Sequence, residues 1–370
     1  MKIAILTSSR ADFGIYETLI DELILENTVE LEIIAFGTHL SKFHGYTLSN
    51  IKNKYKGIVH QISSLIVNDN EVSIASAYGL TLLKFADFWN INKYDLVFCL
   101  GDRYEMSAAV QAGIPFGVKF AHIHGGETTL GATDNIYRHQ ISLASSFHFT
   151  STSKFKSRVA ELIESDQNIF NVGSLSISDI KNFAPIIKEE FLDKFKIDNK
   201  PYCLITFHPE TNAFEENKVF AIEMKNALIE LSNQLNLVIT MPNADTMGSV
   251  YREQLLLLKE EKRENVFLIE NFGKENYFSA MHYSSFLLGN TSSGIIEAAS
   301  FNKYVVNVGN RQKGRAQSKN IVNSAFNNID ILNAIDTCIQ RGEYKGENIY
   351  YKEHTAKRIV NTIKKKYEEF

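Results

Sequence analysis

The chain is poor in cysteine, with three among its 370 residues. Cys99, Cys203 and Cys338 are too few and too scattered for a disulfide framework or a zinc knuckle. Cys99 and Cys203 sit in apolar runs, which predicts small buried thiols. No apolar stretch approaches the roughly 20 residues that cross a bilayer, and the N-terminal apolar run is too short for a signal peptide. These absences predict a reduced, soluble, cytoplasmic protein that does not bind membranes.

The sequence also lacks the signatures of several binding classes. Its net charge is -4 and its pI about 6.2, without a long basic run, which argues against a broad nucleic-acid surface. No G-x-G-x-x-G follows the first apolar run and no G-x-x-x-x-G-K-[ST] occurs, so a dinucleotide-binding enzyme and a P-loop NTPase are disfavoured. The class that stays open is a nucleoside diphosphate held by arginine side chains and one helix N-terminus.

Short apolar runs alternate with amphipathic segments along the whole chain. The runs are KIAILT, LEIIAFG, DLVFCLGD, GVKFAHIHG, FHFTST and IFNVG, followed by YCLITFHP, LNLVITMPN, NVFLIEN, SSFLLGN and KYVVNVG. Nearly continuous apolar strands separated by helical patterns predict parallel sheets covered by helices on both faces. We therefore expect an α/β fold of two doubly wound, Rossmann-like domains.

A polar stretch at residues 174–201 separates the two series of strands. Its middle has a helix-like pattern, and it ends in Asn-Lys-Pro, which is a turn signal. We place the domain boundary there, with a first domain at residues 1–173 and a second at residues 174–353. The Lys-rich segment TAKRIVNTIKKKYEEF predicts a final amphipathic helix within residues 354–370.

Ligands of open parallel sheets bind beyond the carboxyl ends of the strands, so polar residues that directly follow apolar runs are the candidate site. These residues are Ser8, Ser9, Arg10, Asp12, Asp102, Arg103, Glu105, His124 and Glu127 in the first half, and His208, Glu210, Asn243, Asp245, Asn290, Ser292, Ser293, Arg311, Lys313 and Arg315 in the second. Both halves direct polar and cationic groups to one edge, which favours a cleft between the two domains.

The segment LLGNTSSGIIEAAS is the best candidate for anion binding. It passes from a strand through a small polar turn into a helix, so free backbone N–H groups and the helix dipole would face the ligand. The hydroxyls of Ser292 and Ser293 would add donors, although a serine there could simply cap the helix. Glu297 lies one turn into the helix, where a carboxylate could accept ribose hydroxyls.

The segment AHIHGGETTLGATDNIYRH allows three interpretations. His122 and His124 would project from the same face of a strand and could hold a metal ion together with Glu127 or Asp134. His122 could instead be a buried, hydrogen-bonded histidine, which the following glycines favour over a metal site. In the third interpretation Asp102, His124, Glu127 and Asp134 perform acid–base chemistry on one substrate carbon.

The motifs together resemble a known family. SSRADFG, LGDRYE, HIHGGETTLGATDNIYRH, FHPE, MPNAD, GNTSSGIIEA and NVGNRQKGR occur in order from residue 2 to about residue 315. In combination they are similar to the hydrolysing UDP-N-acetylglucosamine 2-epimerases of bacterial sialic acid synthesis, to which the epimerase domain of the animal bifunctional epimerase/kinase is related. The resemblance implies a glycosyltransferase-B-like fold with the nucleotide sugar in the interdomain cleft, and a final helix that crosses back to the first domain.

The resemblance also implies roles for individual residues. Asp102 and Asp134 match catalytic acids of the family, and Arg138 matches a substrate-site arginine. The residues implied to hold UDP are Arg10, Arg103, His208, Asn243, Ser292, Ser293, Glu297 and Arg311. Some relatives have glutamate where this chain has His124, so either Glu127 or His124 is the candidate base for the C2 proton. We prefer Glu127 as the base, with His124 helping to protonate or orient the leaving group.

The implied reaction is elimination of UDP across C1–C2 to a glycal, followed by hydration with inversion at C2, and it needs no cofactor. UDP-N-acetylglucosamine is the leading substrate, giving N-acetylmannosamine, and the second candidate is a UDP-linked 2,4-diacetamido-2,4,6-trideoxy sugar of the legionaminic acid route. The residues also leave open a retaining UDP-sugar glycosyltransferase, a non-hydrolysing epimerase and a UDP-sugar binding module. The resemblance further implies a homodimer or homotetramer.

Overall fold

A computed structural model of the chain describes residues 1–43, 45–67, 70–128, 134–210, 213, 215–242 and 247–368. Contacts divide the chain into two compact units. Unit 1 contains residues 1–127, 134–179 and 350–368, and unit 2 contains residues 180–349 together with Thr128. The sequence-based boundaries are after residue 173 and before residue 354, whereas the two units change over between residues 179 and 180 and between residues 349 and 350.

The strands of unit 1 are β1 (Lys2–Thr7), β2 (Glu30–Phe36), β3 (Ile58–Ile62), β4 (Leu96–Leu100), β5 (Phe120–Ile123), β6 (Phe147–Thr150) and β7 (Ile169–Asn171). Those of unit 2 are β8 (Tyr202–Thr206), β9 (Asn236–Thr240), β10 (Val266–Ile269), β11 (Leu287–Gly289), β12 (Val305–Val308) and β13 (Ile321–Ser324).

The helices are α1 (Arg10–Ile24), α2 (Leu48–Lys54), α3 (Glu71–Ile91), α4 (Tyr104–Gly113), α5 (Asp134–Leu143), α6 (Ser153–Ile163), α7 (Lys188–Phe195), α8 (Asn217–Leu231), α9 (Gly248–Glu261), α10 (Lys274–Tyr283), α11 (Ser292–Ile296), α12 (Asn328–Arg341) and α13 (Thr355–Glu368). The final helix α13 belongs to unit 1, where it packs against α1. No helix in the described part of the chain is long and apolar enough to cross a membrane.

Each unit contains one parallel sheet. The strand order is β3-β2-β1-β4-β5-β6-β7 in unit 1 and β10-β9-β8-β11-β12-β13 in unit 2. Every pairing is parallel, which confirms the prediction of two doubly wound α/β domains. Strands β3 and β13 were not among the predicted runs, because polar residues interrupt their apolar pattern, whereas the edge strands β7 and β10 were predicted.

Two hydrophobic cores cover the faces of the unit 1 sheet, since successive side chains of a strand alternate between faces. In β1, Ile3 and Ile5 contribute to the core under α1 and α13, whereas Ala4 and Leu6 contribute to the core under α3 and α4. Trp89 is fully buried in the second core, and its indole Nε1 donates a 3.0 Å hydrogen bond to a backbone carbonyl of α4. The sheet that carries the site is therefore held rigidly from both sides.

The unit 2 sheet is covered in the same way. In β8, Cys203 and Ile205 contribute to the core shared with α8, α9 and α12, while Tyr202 and Leu204 contribute to the core shared with α7 and α10. Cys99 and Cys203 are buried free thiols, which confirms the prediction made for them.

Each sheet reverses its winding direction at one point. In unit 1 this switch lies between β1 and β4, and in unit 2 it lies between β8 and β11. At such a switch the connecting segments diverge and leave a crevice beyond the carboxyl ends of the two strands. The residues that follow β1, β4, β8 and β11 are therefore placed where a ligand can reach them.

Candidate active site

Asp102 and Arg138 form a partly buried ion pair beyond the carboxyl end of β4. Gly101 turns the chain there with φ +78°, and the Arg138 Nη2 of α5 donates to Oδ2 of Asp102. Arg138 Nη1 also donates a 2.9 Å hydrogen bond to the carbonyl oxygen of His124. The arginine side chain is 3% exposed and the aspartate side chain 26% exposed. The pair therefore ties β4, β5 and α5 together and leaves the carboxylate accessible.

His122 is a buried, neutral histidine that fixes the backbone beside Asp102. Its Nε2 lies 2.9 Å from the carbonyl oxygen of Gly101, and its Nδ1 lies 2.9 Å from Oγ of Ser142. A carbonyl only accepts, so Nε2 carries the proton and Nδ1 accepts from the serine hydroxyl. Burial lowers the pKa of His122 to about 3. The prediction of a buried, hydrogen-bonded His122 is confirmed.

His124 lies outside the strand, which corrects the expectation that it shares a face with His122. Strand β5 ends at Ile123, and His124 adopts the left-handed conformation with φ +64°. The strand periodicity therefore stops one residue too early to align the two rings. The His124 Nε2 accepts a 3.3 Å hydrogen bond from the backbone N–H of Leu175 and lies 3.4 Å from Oγ of Ser174. An accepting Nε2 requires the proton of a neutral ring to be on Nδ1.

Glu127 is a buried carboxylate adjacent to His124. Its Oε1 accepts a 2.9 Å hydrogen bond from the hydroxyl of Ser151, and His124 Nδ1 lies 3.9 Å from the same oxygen. The Glu127 side chain is 2% exposed. Gly126, at φ +76°, makes the turn that leads to it, and a Cβ at that position would lie 2.5 Å from the carbonyl oxygen of Phe155. Only glycine fits this close approach without strain.

Asp134 is the first residue of α5, and it is exposed. Helix α5 also carries Arg138 one turn further on, so Asp134 and the Asp102–Arg138 pair belong to the same end of unit 1. Residues 129–133, which lead into this helix, lie outside the described part of the chain.

The segment after β1 forms a compact hydrogen-bonded turn. Asp12 is buried, and its Oδ2 accepts from the backbone N–H of Ser8 at 3.0 Å and from its hydroxyl at 2.7 Å. The hydroxyl oxygen of Ser9 caps α1 by accepting from the backbone N–H of Asp12 at 3.3 Å. Arg10 is the first residue of α1 and is exposed. This turn presents Arg10 at the end of the sheet.

Arg103 is held in place by Glu105. Its Nε donates a 2.6 Å hydrogen bond to Oε1 of Glu105, whose side chain is 2% exposed, while the arginine side chain is 41% exposed. The carboxylate of Glu105 raises the pKa of Arg103 above its already high value, so the guanidinium charge is fixed. The arginine is thereby anchored through one nitrogen, with much of the side chain open to solvent.

His39 is a buried residue of this edge that the sequence reasoning missed. Its Nε2 lies 2.9 Å from Oγ1 of Thr7 and its Nδ1 lies 2.7 Å from Oγ1 of Thr47. Burial lowers the pKa of His39 to about 4, although the negative charge of Asp12 opposes the shift. It lies just after β2, so the rule applied to the other strands, polar residues directly after an apolar run, would have found it.

In unit 2 the loop after β8 and the loop after β11 are joined through Asn290. The Asn290 Oδ1 accepts a 2.8 Å hydrogen bond from the backbone N–H of His208, and its Nδ2 donates a 2.8 Å hydrogen bond to the carbonyl oxygen of His208. Burial lowers the pKa of His208 to about 3, with a smaller contribution from the charge of Arg311. The ring is therefore neutral at physiological pH.

The turn before α11 differs in detail from the expectation. Thr291, rather than a serine, is the N-cap of α11, and its hydroxyl oxygen accepts a 3.2 Å hydrogen bond from the backbone N–H of Gly294. Ser292 and Ser293 form the first turn and are half-buried. Because α11 ends at Ile296, Glu297 lies at its C-terminal end rather than inside a longer helix. Neither the Ser292 nor the Ser293 hydroxyl therefore serves as the N-cap of α11.

Further residues were expected at this edge of unit 2, namely Glu210, Asn243, Asp245, Arg311, Lys313 and Arg315. Arg311 follows β12, and its Nη1 donates a 3.2 Å hydrogen bond to the carbonyl oxygen of Asn290. Asn243, which follows β9, lies outside the described residues. Glu210 is buried and accepts a 2.6 Å hydrogen bond from the backbone N–H of Asn310. This bond closes the loop that carries Arg311 against the loop that follows β8.

The two edges have different chemical capacities. Unit 1 combines carboxylates at Asp102 and Glu127 with the cations Arg103 and Arg138, a set able to remove a proton and to stabilise charge. Unit 2 supplies hydroxyls, a neutral histidine and the guanidinium of Arg311, a set suited to phosphate oxygens. Across the described ranges of the chain, no group of three or more His, Cys, Asp or Glu side chains is arranged to hold a metal ion.

Comparison with known proteins assigns the chain to a family. The family model described as UDP-N-acetylglucosamine 2-epimerase matches residues 21–364. A Campylobacter jejuni protein named GDP/UDP-N,N'-diacetylbacillosamine 2-epimerase (hydrolyzing) is 35% identical over 89% of this chain and 85% of its own length. A Legionella pneumophila protein named UDP-N,N'-diacetylbacillosamine 2-epimerase (hydrolyzing) is 32% identical over 98% of this chain and 95% of its own.

The solved structures agree on the fold. The crystal structure of UDP-GlcNAc 2-epimerase from Neisseria meningitidis bound to UDP-GlcNAc superposes with a TM-score of 0.82 at 19% identity, covering 99% of this chain and all of that one. The fold of the present chain is therefore glycosyltransferase-B-like, as expected from its sequence. The chain therefore belongs to the hydrolysing UDP-N-acetylglucosamine 2-epimerase family and is an enzyme of that class, a hydrolysing UDP-sugar 2-epimerase.

Proposed function

We propose that the substrate is UDP-N,N'-diacetylbacillosamine, which carries acetamido groups at C2 and C4 and a methyl group at C6. The products would be UDP and the free sugar inverted at C2. The observation that supports this substrate is the naming of the relatives that are 35% and 32% identical over most of the chain. The sequence alone favoured UDP-N-acetylglucosamine and ranked the diacetamido sugar second, and we propose the opposite order because of the names of these relatives.

The reaction consists of an elimination and a hydration. In the first step a base takes the proton from C2, the C1–O bond breaks, and UDP leaves with the bonding electrons as a C1=C2 double bond forms. In the second step water delivers a hydroxyl to C1 and a proton to C2 from the opposite face. Atoms and charge balance without a redox partner, so the enzyme needs only a base, an acid and cations near the departing diphosphate.

Glu127 is our candidate for the base. A buried carboxylate has lost much of its water shell, and the hydroxyl of Ser151 and the ring of His124 orient it. His124 is the positioning partner in this arrangement, because its Nε2 accepts the Leu175 N–H and its protonated Nδ1 faces Glu127. The sequence-based expectation that His124 assists the leaving group would require this ring to move or exchange its tautomer.

Asp102 and Asp134 are our candidates for the carboxylates that stabilise positive charge developing at C1. The C2 hydrogen is only weakly acidic, so cleavage of the C1–O bond must be more advanced than removal of the C2 proton and must create that positive charge. Asp102 suits this role because Arg138 fixes its orientation while a quarter of the side chain stays exposed. Asp134 is exposed at the start of α5 and can also supply the proton that returns to C2.

The UDP moiety is assigned to Arg10, Arg103, His208, Asn243, Ser292, Ser293, Glu297 and Arg311. The serine hydroxyls and backbone N–H groups at the start of α11 suit phosphate oxygens, and the arginines stabilise the charge that grows on UDP as it leaves. His208 is neutral and can donate a hydrogen bond without adding charge. Glu297 remains the candidate acceptor for ribose hydroxyls.

UDP-N-acetylglucosamine is the second candidate substrate, favoured by the description of the family model that covers residues 21–364. The two sugars differ at C4 and C6, where one has an acetamido and a methyl group and the other has hydroxyls. Discrimination that rests on a few apolar contacts is limited to about 10- to 200-fold. We therefore expect one sugar to dominate in kcat/KM and the other to be turned over measurably.

Parallel kinetics on the purified protein test this proposal. UDP-N,N'-diacetylbacillosamine, its GDP-linked counterpart and UDP-N-acetylglucosamine would be compared by release of free nucleoside diphosphate. We expect the highest kcat/KM with a diacetamido sugar. A higher kcat/KM with UDP-N-acetylglucosamine would transfer the assignment to that substrate, and no release from any of the three would refute the proposed reaction.

A further inference from the structure

Asn290 uses every polar atom it has to join loops at the carboxyl end of the unit 2 sheet. It is fully buried, and its backbone N–H donates a 3.2 Å hydrogen bond to the carbonyl oxygen of Thr206 at the end of β8. Its side chain holds His208 through two 2.8 Å hydrogen bonds, accepting from the N–H and donating to the carbonyl oxygen. Asn290 thus binds both backbone polar groups of His208 in the loop after β8.

The carbonyl oxygen of Asn290 makes a second set of contacts. It accepts from Nη1 of Arg311 at 3.2 Å and from Nε2 of Gln312 at 2.9 Å. Gln312 is 1% exposed, so this bond is shielded from water. The loop after β12 is therefore attached to the same residue as the loop after β8. Asn290 itself lies two residues before the start of α11, which carries Ser292 and Ser293.

We propose that Asn290 is the positioning residue of the nucleotide site, holding His208, the start of α11 and Arg311 in the arrangement that binds UDP. This inference rests on the proposed function, in which those residues contact UDP. Asn290 need not touch the ligand itself. Its effect comes from fixing three loops that would otherwise have to be ordered when UDP binds, and such ordering weakens affinity.

The side chain at this position has to combine a donor and an acceptor in one plane. The His208 N–H needs an acceptor and the His208 carbonyl oxygen needs a donor, which a carboxamide supplies together. An ionised aspartate has no donor and would place negative charge against a carbonyl oxygen. A protonated aspartic acid regains one O–H donor beside its carbonyl acceptor, so it imitates asparagine. In an Asn290→Asp variant, the pair of hydrogen bonds to His208 should therefore depend on pH.

The first experiment compares UDP binding by wild type, Asn290→Ala and Asn290→Asp with isothermal titration calorimetry. Asn290→Ala removes the partners of both the N–H and the carbonyl oxygen of His208, and Asn290→Asp removes the donor to the carbonyl oxygen, so we expect UDP to bind about tenfold to a hundredfold more weakly near pH 8. Asn290→Ala carries no added charge. Wild-type affinity in Asn290→Ala would overturn the proposal, because a loss confined to Asn290→Asp would then reflect repulsion between carboxylate and diphosphate.

The second experiment follows the affinity of Asn290→Asp as the pH is lowered from about 8.5 to about 5.5. Burial raises the pKa of a carboxyl group and the nearby guanidinium of Arg311 lowers it; we expect burial to dominate at this fully buried position, so the aspartic acid should become protonated within this range. We expect the ratio of variant to wild-type affinity to recover towards one, whereas the ratio for Asn290→Ala stays constant. An Asn290→Asp ratio that does not recover would overturn the proposal. If Asn290→Ala fails to fold, this pH profile alone decides.

Asn320→Asp is the matched control within unit 2. Asn320 is also fully buried, and its Nδ2 donates a 2.9 Å hydrogen bond to the carbonyl oxygen of Lys303 at the amino end of the sheet. We expect this variant to lose thermal stability but to bind UDP as wild type does. Equal weakening in both Asp variants would overturn the proposal in favour of general destabilisation. Failure of wild type to bind UDP would instead refute the proposed function.

Discussion

Acidification should destabilise unit 1 through His122, and the size of the effect follows from its pKa. Burial lowers the pKa of His122 to about 3, whereas an unfolded histidine has a pKa of about 6.5. Since the unfolded state binds the proton more readily, this contribution to stability is fully present above about pH 6.5 and is lost as the pH falls towards about 3. At about pH 5 the loss is about 2 kcal/mol, or about 1.4 kcal/mol for each pH unit below 6.5.

The assay can use the single tryptophan of the chain. Trp89 is fully buried in unit 1, so its fluorescence reports the unfolding of that unit in urea. We expect His122→Asn to be less stable than wild type near neutral pH, because it cannot reproduce both hydrogen bonds. Its free energy of unfolding should nevertheless depend less on pH, by about 2 kcal/mol between about pH 7.5 and about pH 5.

Ser142→Ala provides the control for this prediction. It removes the hydroxyl that donates to His122 Nδ1 and so should reduce stability, yet it keeps the titrating ring. We expect its unfolding free energy to retain the pH dependence of wild type. Parallel pH dependences in wild type and His122→Asn would refute the assignment of a neutral, proton-excluding histidine beside Asp102.

Three further changes have defined outcomes. Glu127→Gln keeps the shape and hydrogen bonding of the side chain but removes the base. UDP release and C2 exchange should therefore fall by about a hundredfold or more, while the calorimetric affinity for UDP stays near wild type. Near-normal turnover would move the role of base to His124 or Asp134. Asp102→Asn removes the counter-charge of the buried Arg138 guanidinium, so unit 1 should lose about 1–3 kcal/mol in urea unfolding, and an unchanged midpoint would contradict a stabilising pair. Gly126 has φ +76°, and Gly126→Ala places a Cβ 2.5 Å from the carbonyl oxygen of Phe155, so the thermal midpoint and the turnover should both drop. A wild-type melting curve would argue against the tight turn. Light scattering should find a dimer or tetramer at micromolar concentration, and a monomer would remove that expectation.

The fold was largely predictable because its signal is local. The central strands are buried on both faces, so each appears as an uninterrupted apolar run, and helical periodicity separates them. The edge strands β3 and β13 were missed for the same physical reason, since His60 and Gln61 in β3 and Asn323 and Ser324 in β13 interrupt the run. The edge strands β7 and β10 keep apolar runs and were predicted, so the polar interruptions rather than edge position alone decided the outcome.

The candidate site was only partly predictable. Asp102 and His208 follow apolar runs, so that rule proposed them as site residues, and a buried, hydrogen-bonded His122 was one of three interpretations that the sequence allowed. The left-handed backbone of His124 and the hydrogen bond from Leu175 to its ring, about fifty residues away in the chain, could not be anticipated from the strand periodicity. The side-chain hydrogen bonds of Asn290 also join loops that are far apart in the sequence. Hydrogen bonds of this range depend on tertiary structure and leave no spacing pattern in the sequence.

The central claim is that the enzyme releases UDP by removing the C2 proton and then hydrates the resulting glycal. The most direct measurement is turnover of UDP-N,N'-diacetylbacillosamine in deuterated water, followed by proton nuclear magnetic resonance of the sugar product. We predict free UDP together with a free sugar that is inverted at C2 and carries one solvent deuterium at that carbon. A product that stays linked to UDP, or a free sugar that retains its original C2 hydrogen and configuration, would contradict the mechanism.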